Sequence, residues 1–457
     1  MRHFNIIKSF AVVLLSSPVL NAMAGGLVTN SNQSASFLRN PARDAVIDID
    51  GVYTNPAGVS FMKDGFHLGL TIQHPEQQRN VTTTFPTLGY NTQYAGQQTR
   101  TYNGQASAPV VPSVQAAYVK DRWTFMGSFA FTGGGGKCEF DNGIGSIETA
   151  YSLLLMQQMA QQGLTDYYSG YSMDAFMKGR QYYYGIQLGA GYKVTDNFSV
   201  AVGLRAVIGD ATYSGYVRNI NIYTSLPNMP QIPLSSAEID MTTDQTGLGW
   251  TPIVSADWRI NDHWNIAAKY EFRTKMSLKN KSTMNDFARQ QAVLDKFNDE
   301  KTERVRDDVP GTLAVGVQYS PVKALRINGG FHFYDDCNAQ KYADEQKLID
   351  HGTVEYLLGA EYDVNHWLTV SAGWQNTNYG LSDEYMQDMS FNCSSNMMAM
   401  GVRIKASDKV SVDLGYMHNF YKDRTVETPN YQGTSYTKSD VYSRKNYVFA
   451  AGVNIDF

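Results

Sequence analysis

Three groups of side chains in this sequence could do chemistry, and none is spaced as a catalytic set. The first is charged. Arg205, Asp257, Arg259, Lys269, Glu271, Arg273, Arg326, Glu355, Glu361 and Arg403 fall on the polar faces of period-two segments, a pattern that sends them to one side of a sheet. Both signs are present, so most should pair with one another. An arginine left over could meet a ligand carboxylate through charge-assisted hydrogen bonds. Arg205, Arg259 and Arg273 are the candidates, with Arg39 and Arg43 further upstream.

The second group is apolar. Residues 147–160 read as a helix carrying Leu153, Leu154, Leu155, Met156 and Met159, far greasier than a solvated loop. Flexible Met and Leu surfaces suit a featureless hydrophobic ligand, so these five are candidates for a ligand groove. The alternative is that they pack the helix onto its own support. The third group is Cys138, Cys337 and Cys393, widely separated and without metal-ligand spacing. One disulfide with one free thiol, or three isolated thiols, remain open. No spacing of His and Ser marks a nucleophile and its base. The expectation is a protein that is not an enzyme and uses no cofactor and no metal.

The elements that must position these residues are strands. In the final segment Tyr447, Phe449, Ala451, Val453, Ile455 and Phe457 share one face, opposite Asn446, Val448, Ala450, Gly452, Asn454 and Asp456. Similar alternation places about 14 strands near 64–74, 112–120, 123–133, 180–194, 198–216, 241–260, 263–279, 309–320, 324–336, 353–364, 367–379, 394–406, 410–421 and 444–457. Pro252 within the sixth argues for a bulge there. Six short polar turns recur, several followed by an aromatic, as in Lys120-Asp-Arg-Trp123 and Asn365-His-Trp367. Long Gly-rich and polar connections lie between them. The loop 284–306 is highly charged and reads as mostly solvated. Short turns on one side and long loops on the other are the habit of a bacterial outer-membrane barrel.

The rest of the chain agrees. Arg2 and Lys8, the apolar run 10–15 and Ala22-Met-Ala24 read as a signal peptide over residues 1–24. Its removal deletes two positive charges and no negative ones, taking the formal net charge from −5 to −7, which argues against a nucleic-acid partner. No later stretch approaches the roughly 20 apolar residues of a membrane helix. The mean hydropathy of −0.35 fits strands that alternate apolar and polar. A soluble all-β protein with aromatic carbohydrate sites is the competing class.

Residues 25–62 do not alternate and are too few for an independent domain; they are expected to plug the barrel formed by 63–457. Within them, Asp50-Gly-Val-Tyr-Thr-Asn55-Pro56-Ala57-Gly58 resembles the hatch motif of FadL-type outer-membrane transporters of long-chain fatty acids and other hydrophobic compounds. Val309-Pro310-Gly-Thr, Gly247-Leu-Gly-Trp250 and the terminal Phe457 are similar to that family too. The resemblance implies a hatch-plugged barrel and a monomer that takes a hydrophobic small molecule from an outer groove. Release would then be sideways, through a kinked strand into outer-membrane lipid. It also implies insertion by the barrel assembly machinery through Phe457. Gly133, Gly134, Gly135 and Gly136 are the candidates for the wall kink, because four glycines hold a ladder poorly; a flexible loop root is the alternative. The competing functions are a general polar porin and an adhesin or haem-binding receptor.

Overall fold

The computed structural model describes residues 27–457 apart from Ala95 and Pro109; the expected signal peptide and the first residues of the expected plug, 1–26, lie outside the described residues. Fourteen antiparallel strands close into a barrel. In chain order they are Gly65–Thr84, Thr99–Ser107 continued by Val111–Lys120, Trp123–Phe140, Tyr168–Lys193, Phe198–Thr224, Ile239–Arg259, and Trp264–Glu271 continued by Ser277–Met284. The remaining seven are Arg304–Arg306 continued by Thr312–Val322, Leu325–Tyr334, Ile349–Asp363, Leu368–Leu381, Ser395–Lys405, Val410–Tyr421 continued by Arg424–Thr428, and Lys438–Asp456. Each strand pairs with its sequence neighbours. The last closes on the first, with Leu68 opposite Ile455 and Thr84 opposite Ser439. The ladders thereby pair most backbone groups within the wall, as crossing lipid requires. No described helix is long and apolar enough to cross a membrane.

Alternation gives the barrel its two faces. Phe125, Leu188, Val202, Leu248, Trp250, Leu358 and Phe449 stand exposed on the outside, whereas Gln115, Gln187, Ser199, Thr251 and Gln375 are buried inside. An apolar exterior over a polar interior is the reverse of a soluble sheet. At the short-turn end aromatics gather, with Trp123 packed on Tyr192 at 4.7 Å and Trp264 stacked on Tyr319 at 4.3 Å. Such rings suit a membrane interface, where one edge is apolar and the other wet.

The fourth and fifth strands run for 26 and 27 residues, where a span needs only about 9–11. Their outer halves therefore stand clear of the bilayer. There the inward face turns apolar, with Met177, Tyr213 and Val217 buried.

The bulge expected at Pro252 is not on its own strand. The sixth strand pairs with the fifth in unbroken register, with Pro252 opposite Leu204. The irregularity falls on the seventh strand, which stops at Glu271 and resumes at Ser277. The Phe272 N–H still donates to the Pro252 carbonyl at 3.0 Å, but proline has no N–H to return, so the ladder ends there.

Residues 27–62 lie inside the barrel, almost wholly buried, as the helices Ala35–Arg39 and Gly51–Thr54 and a 3-10 turn at Gly58–Phe61. Ser34 caps the first, its Oγ accepting from the Phe37 N–H at 3.0 Å, which satisfies a donor that burial would otherwise strand. The three cysteines are all free thiols, Cys138 and Cys393 buried and Cys337 half-buried.

Candidate functional site

Above the membrane level the outer strands and loops enclose an apolar groove of about 710 Å³, within the size of small-molecule sites. Phe176 and Tyr216, stacked at 5.5 Å, form part of one wall with Met177, Val217, Ile239 and Met241. Val293, Leu294 and Phe297 come from the charged loop, and Met386 and Met389 from the loop before the twelfth strand. The loop 284–306 is thus not merely solvated. Its turn Ala292–Phe297 presents these apolar side chains to the groove.

The predicted greasy helix exists, as Gly145–Gln161, but it offers the groove its first turn rather than its Leu and Met run. Ser146 and Ile147 line the cavity. Leu155 and Met159 are buried in a cluster with Tyr102, Phe140 and Tyr171, and Leu153 packs with Phe85, Leu88 and Tyr431. Leu154 is half-buried against Ala150, and Met156 flanks the Phe85 cluster. The helix is packed on more than one side, its Leu and Met side chains divided among three clusters.

The run of four glycines lies where the wall is interrupted. The third strand pairs with the second only as far as Val114 opposite Phe129, and the two meet again at Gly104 opposite Phe140. Between these points Ala130–Cys138 has no second-strand partner among the described residues. On its other side the register to the fourth strand shifts twice, between Phe131 and Gly133 and between Gly133 and Gly136. The plug takes up the freed backbone groups. The Asn30 N–H donates to the Thr132 carbonyl at 2.9 Å, the Gly134 N–H to Val28 at 3.2 Å, and the Asn30 and Gln33 side-chain amides to Phe131 at 3.0 and 2.8 Å. Glycine is required here for two reasons. A Cβ on Gly133 would sit 2.0 Å from the Val28 carbonyl, and Gly134 has φ of +91°, a left-handed conformation that L side chains resist.

Below the groove the plug is tied down on every side. Asn55 donates to Asp257, the Ala57 N–H to Ser255 Oγ at 2.9 Å, and Ser199 Oγ to the Ala57 carbonyl at 2.8 Å. Gly58 fits because a Cβ would lie 2.3 Å from Asn55 Nδ2. Pro56 follows the Asn55 residue that closes the helix Gly51–Thr54. Arg43 grips Asp50 through Nε and Nη2 at 2.9 and 2.7 Å and reaches Glu361 on the tenth strand at 3.1 Å. Arg39 meets Asp413 at 2.9 Å, and Asp44 meets His332 at 2.9 Å.

Two of the three candidate carboxylate partners, Arg205 and Arg273, are already engaged by polar groups. Arg205 is paired with Glu271 at 2.6 and 3.0 Å and donates to Gln187. Arg259 lies over the Phe61 ring at 5.3 Å, and Arg273 faces Asp308 and the Asn338 carbonyl. Between plug and wall a cavity touched by Arg205, Lys269, Glu271 and His332 measures only about 40 Å³, room for about a water molecule. With the plug seated, the groove has no continuation large enough for a ligand at that point.

Residues 181–457 match the family described as outer membrane protein transport protein (OMPP1/FadL/TodX). A comparison with curated protein sequences returned no match. Among solved structures, that of a Pseudomonas aeruginosa FadL homologue superposes with a TM-score of 0.68 at 15% identity, covering 95% of this chain and 100% of that one. The P. putida toluene transporter TodX gives 0.54 at 11%, covering 90% and 94%. The Ralstonia pickettii toluene transporter TbuX gives 0.53 at 13%, covering 92% and 98%. At these identities the superpositions speak to the fold.

Proposed function

The chain belongs to the outer membrane protein transport family of the OMPP1, FadL and TodX type, and on that premise we propose that it passes hydrophobic small molecules across the outer membrane as a plug-gated passive channel. The ligand enters the 710 Å³ groove, where leaving water supplies the driving force. Movement of the plug then enlarges the lumen below. Exit is sideways, through the seam between the second and third strands, so an apolar solute reaches lipid without crossing the polar surface layer. It acts as a monomer and needs no energy-coupling partner.

The observation that carries this reading is the seam itself: a wall left unpaired over Ala130–Cys138 and sealed by plug hydrogen bonds. Four such bonds at about 0.5–1.5 kcal/mol each make a closure of a few kcal/mol, tight enough to hold and weak enough to open. The test is native mass spectrometry of gently purified protein together with single-channel conductance in planar bilayers. A stoichiometric co-purified lipophile with negligible conductance supports the channel. Steady ion conductance with no bound lipophile would make the protein a polar porin.

A further inference from the structure

The groove's charges say which polar end its ligand should carry. Six carboxylates line it, Asp344, Glu345, Asp383, Glu384, Asp388 and Asp440, against two lysines, Lys347 and Lys438. Four of the six have cations: Asp344 with Lys347 at 2.7 Å, Glu345 with Lys296 at 3.3 Å, Asp383 with Arg424 at 2.6 Å, and Asp440 with Lys438. Glu384 and Asp388 have no cation within 4.0 Å among the described residues. Asp388 is 3% exposed. Its Oδ2 accepts from the Ser146 N–H at 2.7 Å, in the first turn of the helix Gly145–Gln161, a place that stabilises a carboxylate. A buried carboxylate with spare acceptor capacity in the lining of this groove can take a further donor.

Resting on the transport reading above, we infer that this groove receives amphiphiles whose polar end is a hydrogen-bond donor, an ammonium above all and an alcohol next, with Asp388 as acceptor, and that it discriminates against carboxylates. A carboxylate head would add a further negative charge to a partly desolvated site holding two uncompensated ones, where Coulomb repulsion is poorly screened. An ammonium head relieves the excess, and the aromatic faces of Phe297 and Tyr431 in the lining suit a cation as well as a chain.

The experiment uses the purified protein in lipid nanodiscs and three probes with the same twelve-carbon tail: dodecylammonium, dodecanol and dodecanoate. Binding is measured at pH 7 by equilibrium dialysis, after subtracting partition into empty nanodiscs. Dodecylammonium should bind at least about tenfold tighter than dodecanoate, with dodecanol between. Asp388→Asn keeps an oxygen for the Ser146 N–H and should collapse most of that preference. Glu384→Gln, at an exposed position, should narrow it less and serves if the first variant does not fold. Dodecanoate binding as tightly as dodecylammonium overturns the inference and leaves the transport reading standing, as does a preference that survives both substitutions. Failure of all three probes to bind removes both.

Discussion

Removing the Arg43 guanidinium should release the plug without unfolding the barrel. Arg43 is buried and serves three carboxylates, Asp48, Asp50 and Glu361. In Arg43→Met, Asp48 retains Arg403 and Glu361 retains Arg39 and Arg326. Asp50 retains only the Ser34 hydroxyl at 3.1 Å. One buried carboxylate is therefore stranded, a loss of about 3–5 kcal/mol. It falls on plug docking, because Asp50 belongs to the plug and the strand ladders do not involve it. At about 1.4 kcal/mol per decade, opening of the plug should rise by roughly two to three and a half orders of magnitude. Hydrogen exchange read peptide by peptide tests this: residues 27–62 should lose protection by that factor while the strand peptides keep theirs. Adding Asp50→Asn removes the stranded charge and should recover most of the loss, a non-additivity that marks a coupled pair. Unchanged exchange in the plug would refute the reasoning. So would equal loss in plug and strands, or no recovery in the double variant.

Two other outcomes follow from single positions. Gly134→Ala would place a Cβ 2.4 Å from the Gln181 carbonyl at φ of +91°, whereas at Gly136, φ +68°, nothing lies within 4 Å; Gly134→Ala should therefore cut uptake of a labelled hydrophobic compound much more than Gly136→Ala, with both proteins still folded, and equal uptake would tell against the seam as the exit. In the outer loop, burial pushes the Asp336 carboxyl up from 3.8 to about 6, even though it accepts from the Thr353 N–H and hydroxyl at 2.9 and 2.6 Å. The folded state then holds that proton more tightly than the unfolded chain does, so the loop loses stability as pH rises from about 4 to 6 and gains it back on acidification. Exchange protection of residues 335–353, corrected for intrinsic rates, should be higher at pH 5 than at pH 7, and Asp336→Asn should flatten the difference.

The sequence by itself determined the barrel. Within lipid every outward position must be apolar and every inward one can be polar, so a span is written in local alternation, and a terminal strand such as 444–457 or a turn such as Lys120–Trp123 can be read without knowing its partner. Strand number and order followed, since each strand pairs with its neighbour in sequence. The same logic explains what was missed. Above the bilayer the rule inverts: Tyr213 and Val217 share the inward side of their strand with Arg205, yet they line or support the groove instead of a polar lumen. Nothing local marks the residue at which lipid ends and water begins. Pro252 announced an irregularity, but only pairing showed that its missing N–H is paid for by the seventh strand.

The groove was beyond local reading for a related reason. Its lining is drawn from Phe176, Tyr216, Phe297 and Met389, residues far apart in sequence, and the greasiest segment in the chain turned its Leu and Met side chains toward packed clusters instead. Which of several charged residues pair was also decided in three dimensions: Arg43 and Glu361 are 318 positions apart, and Asp388 is distinguished from the other groove carboxylates by being buried with no cation beside it among the described residues. Local alternation encodes a position's environment; charge balance and cavity shape are sums over the whole barrel, and only the closed structure performs them.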